Sequence, residues 1–574
     1  MNRENIDKLL QAARGDRPAD LLVRNAKLIN VFAGEVMEAH IAVADGYVVG
    51  FGEYDASETV DLGGRFVTPG FIDAHVHIES AMVGPAAFAR AVLPHGTTAV
   101  VADPHEIANV QGAAGIDYML DASRDALLNF FFTLPSCVPA TDMETSGASL
   151  DAAALEPFMS RPRIVALAEM MNFPGVVYGD PGVLDKIGAM RETGKPVDGH
   201  SPGLRGRQLN AYLLPGIHSD HECITLAEAR EKLAAGMHIM IREGTGARNL
   251  DELLPLIDFR NAHRLMWCTD DRHPHDLISE GSVGSMVRRA VRAGVDPIIA
   301  IQMATLNPAD YFKLYEVGAV APGRRADMVV IEDLADPVAQ QVYYGGKLAA
   351  EAGEMVQTAP NGAAEELPVS TNVPIDRLRF SVPAQGRRMR VIETVPDQIV
   401  THGAIEDACI LDGQAVSDPA RDLLKIAVVE RHHGTGRTAV GFIRGFGLRR
   451  GALASTVAHD SHNIVAVGVQ DRDIELAVRA LVEMGGGLVA VDEGRVIASL
   501  PLPIAGLMSD RPMGQVCRGL DDLLAAARRL GTELTDPFMT LSFMALPVIP
   551  ALKITDKGLV DVEKFELVPL FVNE

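Results

Sequence analysis

The chain has 574 residues, too many for a single hydrophobic core, and its length suggests three or four domains. It is 48% hydrophobic and 22% charged, with 53 Gly and 33 Pro, a globular composition. A formal net charge of −24 argues against nucleic acid or an anionic membrane surface as partner, because phosphate binding needs clustered Lys and Arg; a small neutral or cationic molecule is the easier partner.

The opening MNRENIDKLLQAARGDRPAD has no apolar stretch of the signal-peptide kind, and no apolar run approaches the span of a transmembrane helix, so a soluble cytoplasmic protein is expected. Five scattered cysteines without a C-x-x-C pair suggest neither a disulfide framework nor a zinc ribbon. After a short polar helix, residues 21–66 read as small strands between turns, part of a β-sandwich. The same texture returns over 318–348, in GAVAPGRRADMVVIEDL and AQQVYYGGKL, so segments 1–65 and 316–360 are expected to form one composite sandwich domain.

Between them, over 66–315, eight apolar or β-branched runs alternate with stretches long enough for helices, matching the size of a (β/α)₈ TIM-type barrel. A doubly wound open sheet is the alternative, but no G-x-G-x-x-G follows the first strand. Past the polar, Pro-bearing link VQTAPNGAAEELPVSTNVP, residues 365–574 read as an additional α/β domain. Its MGGGLVAV lacks the Lys and Ser/Thr of a phosphate loop and reads as a turn into a strand.

The first barrel run ends in GFIDAHVHIES, residues 70–80. Side chains alternate along a strand, so Asp73, His75 and His77 are expected on one side, where the two imidazoles can reach one metal ion. A lone H-x-H is as easily a partly solvated pair, and the spacing does not choose among zinc, iron and manganese. In a barrel, however, the C-terminal strand ends converge on one face. The residues expected there are Asp103, His105 and Glu106 after the second strand, Glu169 on the fourth, His200 on the fifth, His218 and His221 at the sixth, Glu243 on the seventh, and Asp270 and Asp271 at the eighth. A matching set across several strands points to a metal site at the barrel mouth. The loop DPHEIAN reads equally as a helix cap and as a substrate contact. The tail histidines His432, His433, His459 and His462 read first as structural turns, with a second metal site or closure over the barrel as alternatives.

VTPGFIDAHVHIES resembles the first-strand signature of the amidohydrolase superfamily, and ATLNPADYFKL with GAVAPGRRADMVVIE resembles its exit from barrel to sandwich. VVADPHEIANVQG, DGHSPGL, SDHE, CTDDRHP, VVERHHGTG and VAHDSHNIVAVG narrow the resemblance to the bacterial adenine deaminases, over essentially the whole chain. The resemblance implies hydrolysis of free adenine to hypoxanthine and ammonia at two divalent ions, manganese or iron with zinc permitted, in a cytoplasmic homodimer. It makes His75, His77, Glu169, His200, His221 and Asp270 the metal ligands, with Glu169 standing where many binuclear relatives carry a carboxylated Lys. On this reading Asp270 acts as general base and then acid; Glu106, Glu222 and His105 are the candidates for holding charge on the purine ring, and Asp103, His105 and Asp271 contact substrate. Another amidohydrolase acting on a cyclic amide or amidine, and a non-catalytic scaffold, stay open as alternatives; the scaffold predicts lost ligands, and no expected position is missing.

Overall fold

A computed structural model of the protein describes residues 3–358, 366–396 and 398–572. Eight parallel strands form the centre: Phe71–Val76, Thr97–Ala102, Asn129–Leu134, Ile164–Met170, Val197–Gly199, Ser219–Asp220, His238–Arg242 and Leu265–Cys268. The first five lie side by side in chain order, as do the last three. A Val197–Ile217 bridge joins the fifth strand to the sixth, and a Val76–Asp270 bridge joins the eighth to the first, so the ring closes as a TIM-type barrel. All eight expected runs therefore carry a barrel strand.

Most of these strands are buried on both faces, as parallel strands covered by helices must be, which is why TTAVVA reads as a continuous apolar run. The helix Val283–Arg292 shows how the covering layer is specified. Val283, Met286, Val287 and Ala290 are buried at helical spacing, while Arg289 and Arg292 lie at its polar last turn. Inside the barrel Ile72, Ala74, Ala99, Val101, Val165, Met240, Met266 and Cys268 form a separate apolar plug below the polar mouth.

The alternation expected for the first strand is broken. Asp73 pairs with Val100 and Val76 with Ala102, so three residues on this strand span two on its neighbour. Such a bulge exchanges the faces of whatever follows it. Ile72 and Ala74 lie in the inner plug, whereas Val76 joins the outer core. Asp73 thus faces away from His75 and His77, accepting hydrogen bonds from Thr269 N (3.0 Å), Thr269 Oγ1 (2.5 Å) and Ser282 Oγ (3.1 Å). The buried carboxylate ties the first strand to the eighth and to the covering helix.

The flanking segments form one nine-stranded sheet built from both ends of the barrel insertion, its halves joined where Phe66–Pro69 runs antiparallel to Met328–Ile331. The tail contains an eight-stranded sheet in which every pairing but one, Arg388–Thr394 with Thr438–Arg444, is antiparallel. Its helices Asp471–Glu483 and Met513–Leu530 cover sheet faces, and the first crosses from Ile464–Gly468 to Gly487–Asp492, two strands that run parallel to each other on either side of Ala452–Ser455. The boundary expected at 360–365 lies outside the described residues. No helix among those described is long and apolar enough to cross a membrane.

Candidate active site

Strand ends carry the polar groups to the mouth. His75 and His77 follow the bulge, Glu169 lies near the end of the fourth strand, and His200, His221 and Asp270 stand just beyond the fifth, sixth and eighth. His75, His77, Glu169, His221 and Asp270 are all buried. The two first-strand Nε2 atoms are 3.1 Å apart, and Asp270 Oδ1 lies 3.1 Å from His77 Nε2 and 3.6 Å from His75 Nε2. Asp270 has φ of +57°, a left-handed turn that starts the loop as soon as the strand ends.

Glu169 stands between two groups of imidazoles. Its Oε1 lies 3.3 Å from His77 Nε2 and 3.9 Å from His75 Nε2, while Oε2 lies 2.6 Å from His200 Nδ1 and 3.2 Å from His221 Nε2. Burial pushes its carboxyl pKa up, but the surrounding imidazoles, His200 foremost, hold it well below the usual range, so it is a carboxylate. His75, His77 and Asp270 form one group within ligand reach, His75, Glu169 and His221 another, and His200 stands on Glu169, a donor set for divalent ions of the first transition row.

Two features fit such ions independently of spacing. His77 donates its Nδ1–H to the carbonyl of Asp103 (3.1 Å), which leaves Nε2 as a lone pair aimed at the cluster. His221 Nε2, although 3.2 Å from Glu169 Oε2, is buried and without an aligned hydrogen bond among the described residues, an atom that an ion would satisfy.

A buried network behind the cluster sets its geometry. Lys232 donates to Asp220 Oδ2 (3.0 Å), Glu228 Oε1 (2.6 Å) and the Ser201 carbonyl (2.6 Å), and Asp220 also accepts from Ser201 N (3.0 Å). The loops bearing His200 and His221 are thereby pinned to one ammonium. On the other side Arg242, on the seventh strand, donates to Asp270 Oδ2 (2.8 Å) and forks onto Glu222. Arg242 escaped the sequence reading, which passed to its neighbour Glu243 in HIMIREGT; its signal was that odd strand position, a charge at the end of an apolar run. Glu243 instead binds Arg289 and Leu250 N, away from the cluster.

The remaining expected residues divide. Glu222 lies 3.6 Å from His221 and 3.8 Å from His200 and is paired with Arg242. Asp103 and His105 belong to the cluster itself: the His105 ring is 3.0 Å from Asp103 and 3.5 Å from Glu169. Asp271 accepts from Ser80 Oγ. Glu106 does not cap its helix, His105–Gln111; Asp103 accepts from His105 N (3.1 Å) and Glu79 from Ile107 N (3.2 Å).

Glu106 is instead met by the tail. His459 Nδ1 lies 2.6 Å from Oε1, and His462 Nε2 is bonded to Oε2. These two histidines reach across to the barrel, the closure that the sequence offered beside structural turns and a second metal site. His432 and His433 support the closure through the carbonyls of Ser461 (2.7 Å) and Ser146 (2.9 Å). A cavity between barrel and tail is lined by Glu79, Ser80, Glu106, His273 and His459.

Residues 66–362 match the Amidohydrolase family, and residues 398–566 match the Adenine deaminase C-terminal domain. The chain is 55% identical over 565 residues to adenine deaminase of Desulfatibacillum aliphaticivorans, covering 98% of this chain and 99% of that one. It is 49% identical over 569 residues to adenine deaminase 2 of Carboxydothermus hydrogenoformans, with 98% and 99% covered, and 48% identical over 572 residues to adenine deaminase of Methanothrix thermoacetophila, with 99% and 100% covered. A closed barrel with a histidine and carboxylate cluster at its mouth, matched in sequence along almost its whole length, places the chain in the amidohydrolase family, among the adenine deaminases.

Proposed function

We propose that the protein hydrolyses adenine to hypoxanthine and ammonia, water adding at C6 and the exocyclic amino group leaving. The position of Glu169 between two sets of imidazoles carries this reading, since a binuclear hydrolase needs one anion shared by two cations. His75, His77, Glu169 and Asp270 would hold one divalent ion, and Glu169, His200 and His221 the other, manganese or iron by family preference and zinc by donor chemistry. When bound, such ions act as Lewis acids that bring the pKa of water toward neutrality.

The chain's own groups supply the rest. Asp270 is buried, but His75, His77 and Arg242 keep it ionised, so it can accept a proton from the attacking water and return it to the leaving nitrogen. Arg242 fixes Oδ2 and so presents Oδ1 to the cluster. The tail roof limits access and favours the free base over a nucleoside. Asp103, His105 and Asp271 are proposed to orient substrate at the mouth. The same reading makes the protein a cytoplasmic homodimer divided into a sheet flank 1–65, barrel 66–315, flank 316–360 and tail 365–574, with Phe66–Pro69 as the strand that joins sheet to barrel.

Ammonia release by metal-loaded protein from a panel of adenine, adenosine, guanine, cytosine and cyclic amides tests the assignment. Turnover of adenine alone is expected; equal turnover of adenosine would reject the free-base reading, and activity confined to cyclic amides would reject deamination of adenine.

A further inference from the structure

The cluster of Glu106, His459 and His462 has the composition of a third metal site, but its hydrogen bonds argue otherwise. Ala458 N donates to His462 Nδ1 (3.0 Å), so the ring proton of neutral His462 is on Nε2, the atom bonded to Glu106. An ion at Nε2 would require that proton to leave and the ring to become an anion. His462 is therefore a fixed donor to Glu106. His462 itself has φ of +53° and receives the Arg431 guanidinium on its carbonyl, so the donor cannot swing away.

His459 has a different place. Its Nδ1 is spent on Glu106, its ring stacks on Phe543 at 4.9 Å and 17°, and it lines the cavity between barrel and tail. Its Nε2 has no hydrogen-bond partner among the described residues. A carboxylate behind one ring nitrogen of a histidine, with the other nitrogen facing a cavity, is the arrangement that turns an imidazole into a directed proton donor. The other ionisable groups nearby are the acids Glu79 and Asp460, of which Oε2 and Oδ2 are buried and without a hydrogen-bond partner among the described residues, and two more imidazoles, His105 between Asp103 and Glu106 and His273 beside Asp536. Adenine presents three unprotonated ring nitrogens besides its N–H groups, so a site that holds it needs a donor as well as these acceptors.

We infer that His459, supplied by the tail and backed by Glu106, donates its Nε2–H to a ring nitrogen of the bound purine and stabilises the charge that develops there as water adds. The charge balance around Glu106 agrees: although burial opposes it, Glu106 pushes the His459 pKa up to about 9, while burial pushes that of His462 down to about 4, so the one added proton resides on His459. The inference rests on the proposed adenine deamination and assigns to the tail a substrate contact beside those proposed for the barrel.

The test measures kcat and KM for adenine, and inhibition constants for its 1-deaza, 3-deaza and 7-deaza analogues, with wild-type protein and His459→Ala at equal metal content. His459→Ala is expected to lower kcat/KM for adenine about 100-fold. One deaza analogue should bind wild type roughly tenfold or more weakly than adenine, the scale of a lost charged hydrogen bond, and that deficit should vanish in the variant. His459→Gln, which keeps an N–H near the Nε2 position, should recover part of the rate and serves if the alanine variant fails to fold. Analogue ratios unchanged by the substitution would overturn the inference, as would loss of a metal equivalent from His459→Ala, which would make the cluster an ion site. Failure of wild type itself to deaminate adenine would reject the functional reading instead.

Discussion

Replacing Arg242 with Met separates positioning from ligation at this site. The guanidinium is buried and neutralises two carboxylates, Asp270 through Oδ2 at 2.8 Å and Glu222 through a fork. Removing one partner of a buried ion pair costs about 3–5 kcal/mol because the other charge is stranded. The low end applies here, since Glu222 keeps 14% of its side-chain exposure and can turn toward water. Asp270 keeps His75 and His77 as neighbours, so what it loses is chiefly its orientation. A cost of about 3 kcal/mol corresponds to roughly 6–12 °C in the unfolding transition of a barrel-sized unit. Turnover should fall about 10–100-fold, the usual effect of removing a group that orients a metal ligand. Arg242→Lys keeps a charge but not the fork and should fall between the two. The assay pairs scanning calorimetry with ammonia release at saturating metal, occupancy being measured on the same samples. Full activity and an unshifted transition in Arg242→Met would show that Asp270 is oriented by something else.

Glu169→Gln should lose one or both metals on dialysis, read by metal analysis, with far-UV circular dichroism unchanged; unchanged metal content would make Glu169 a plain strand residue. Asp270→Asn should lower turnover about 100-fold or more even when fully metallated, and a near wild-type rate there would assign the proton transfer to another group. Lys232→Met strands Asp220 and Glu228 and should destabilise by about 3–5 kcal/mol, with loss of the ion proposed at His200 and His221; an unchanged melting transition would refute the pinning role. Asp73→Ala leaves the Thr269 N–H and two hydroxyls without their acceptor and should cost about 2–4 kcal/mol in thermal unfolding while metal binding persists.

The barrel was legible because eight buried parallel strands must each be an apolar run, and the strand ends were legible because polar residues there have no core to join. Two kinds of information were hidden. The bulge in the first strand leaves no mark in FIDAHV that spacing alone reveals, since one added residue changes faces without changing composition; the alternation rule therefore placed Asp73 beside the histidines when it points behind them. Contacts between residues far apart in the chain were also hidden. That Glu106 would meet His459, 353 positions later, depends on how the tail docks, and no local pattern encodes that. Arg242 went unread, because a charge closing an apolar strand carries no mark of function until its two buried partners are known.

The docking of the tail also bears on what counts as a module in this chain. Ser509 N donates to the Met82 carbonyl (2.8 Å), and Leu507, Met508 and Leu520 share one continuous apolar core with Ile78, Met82 and Val83 of the barrel. Ser461 Oγ and Asn463 Nδ2 add bonds to Glu144 (2.6 Å) and the Thr145 carbonyl (2.8 Å). A protein nicked by a protease in the linker near residue 366 should therefore copurify as two fragments under native conditions. Grafting a tail from a divergent relative would have to carry along the barrel residues beneath it. The two parts are separable on paper, but inheritance and engineering must handle them as one piece.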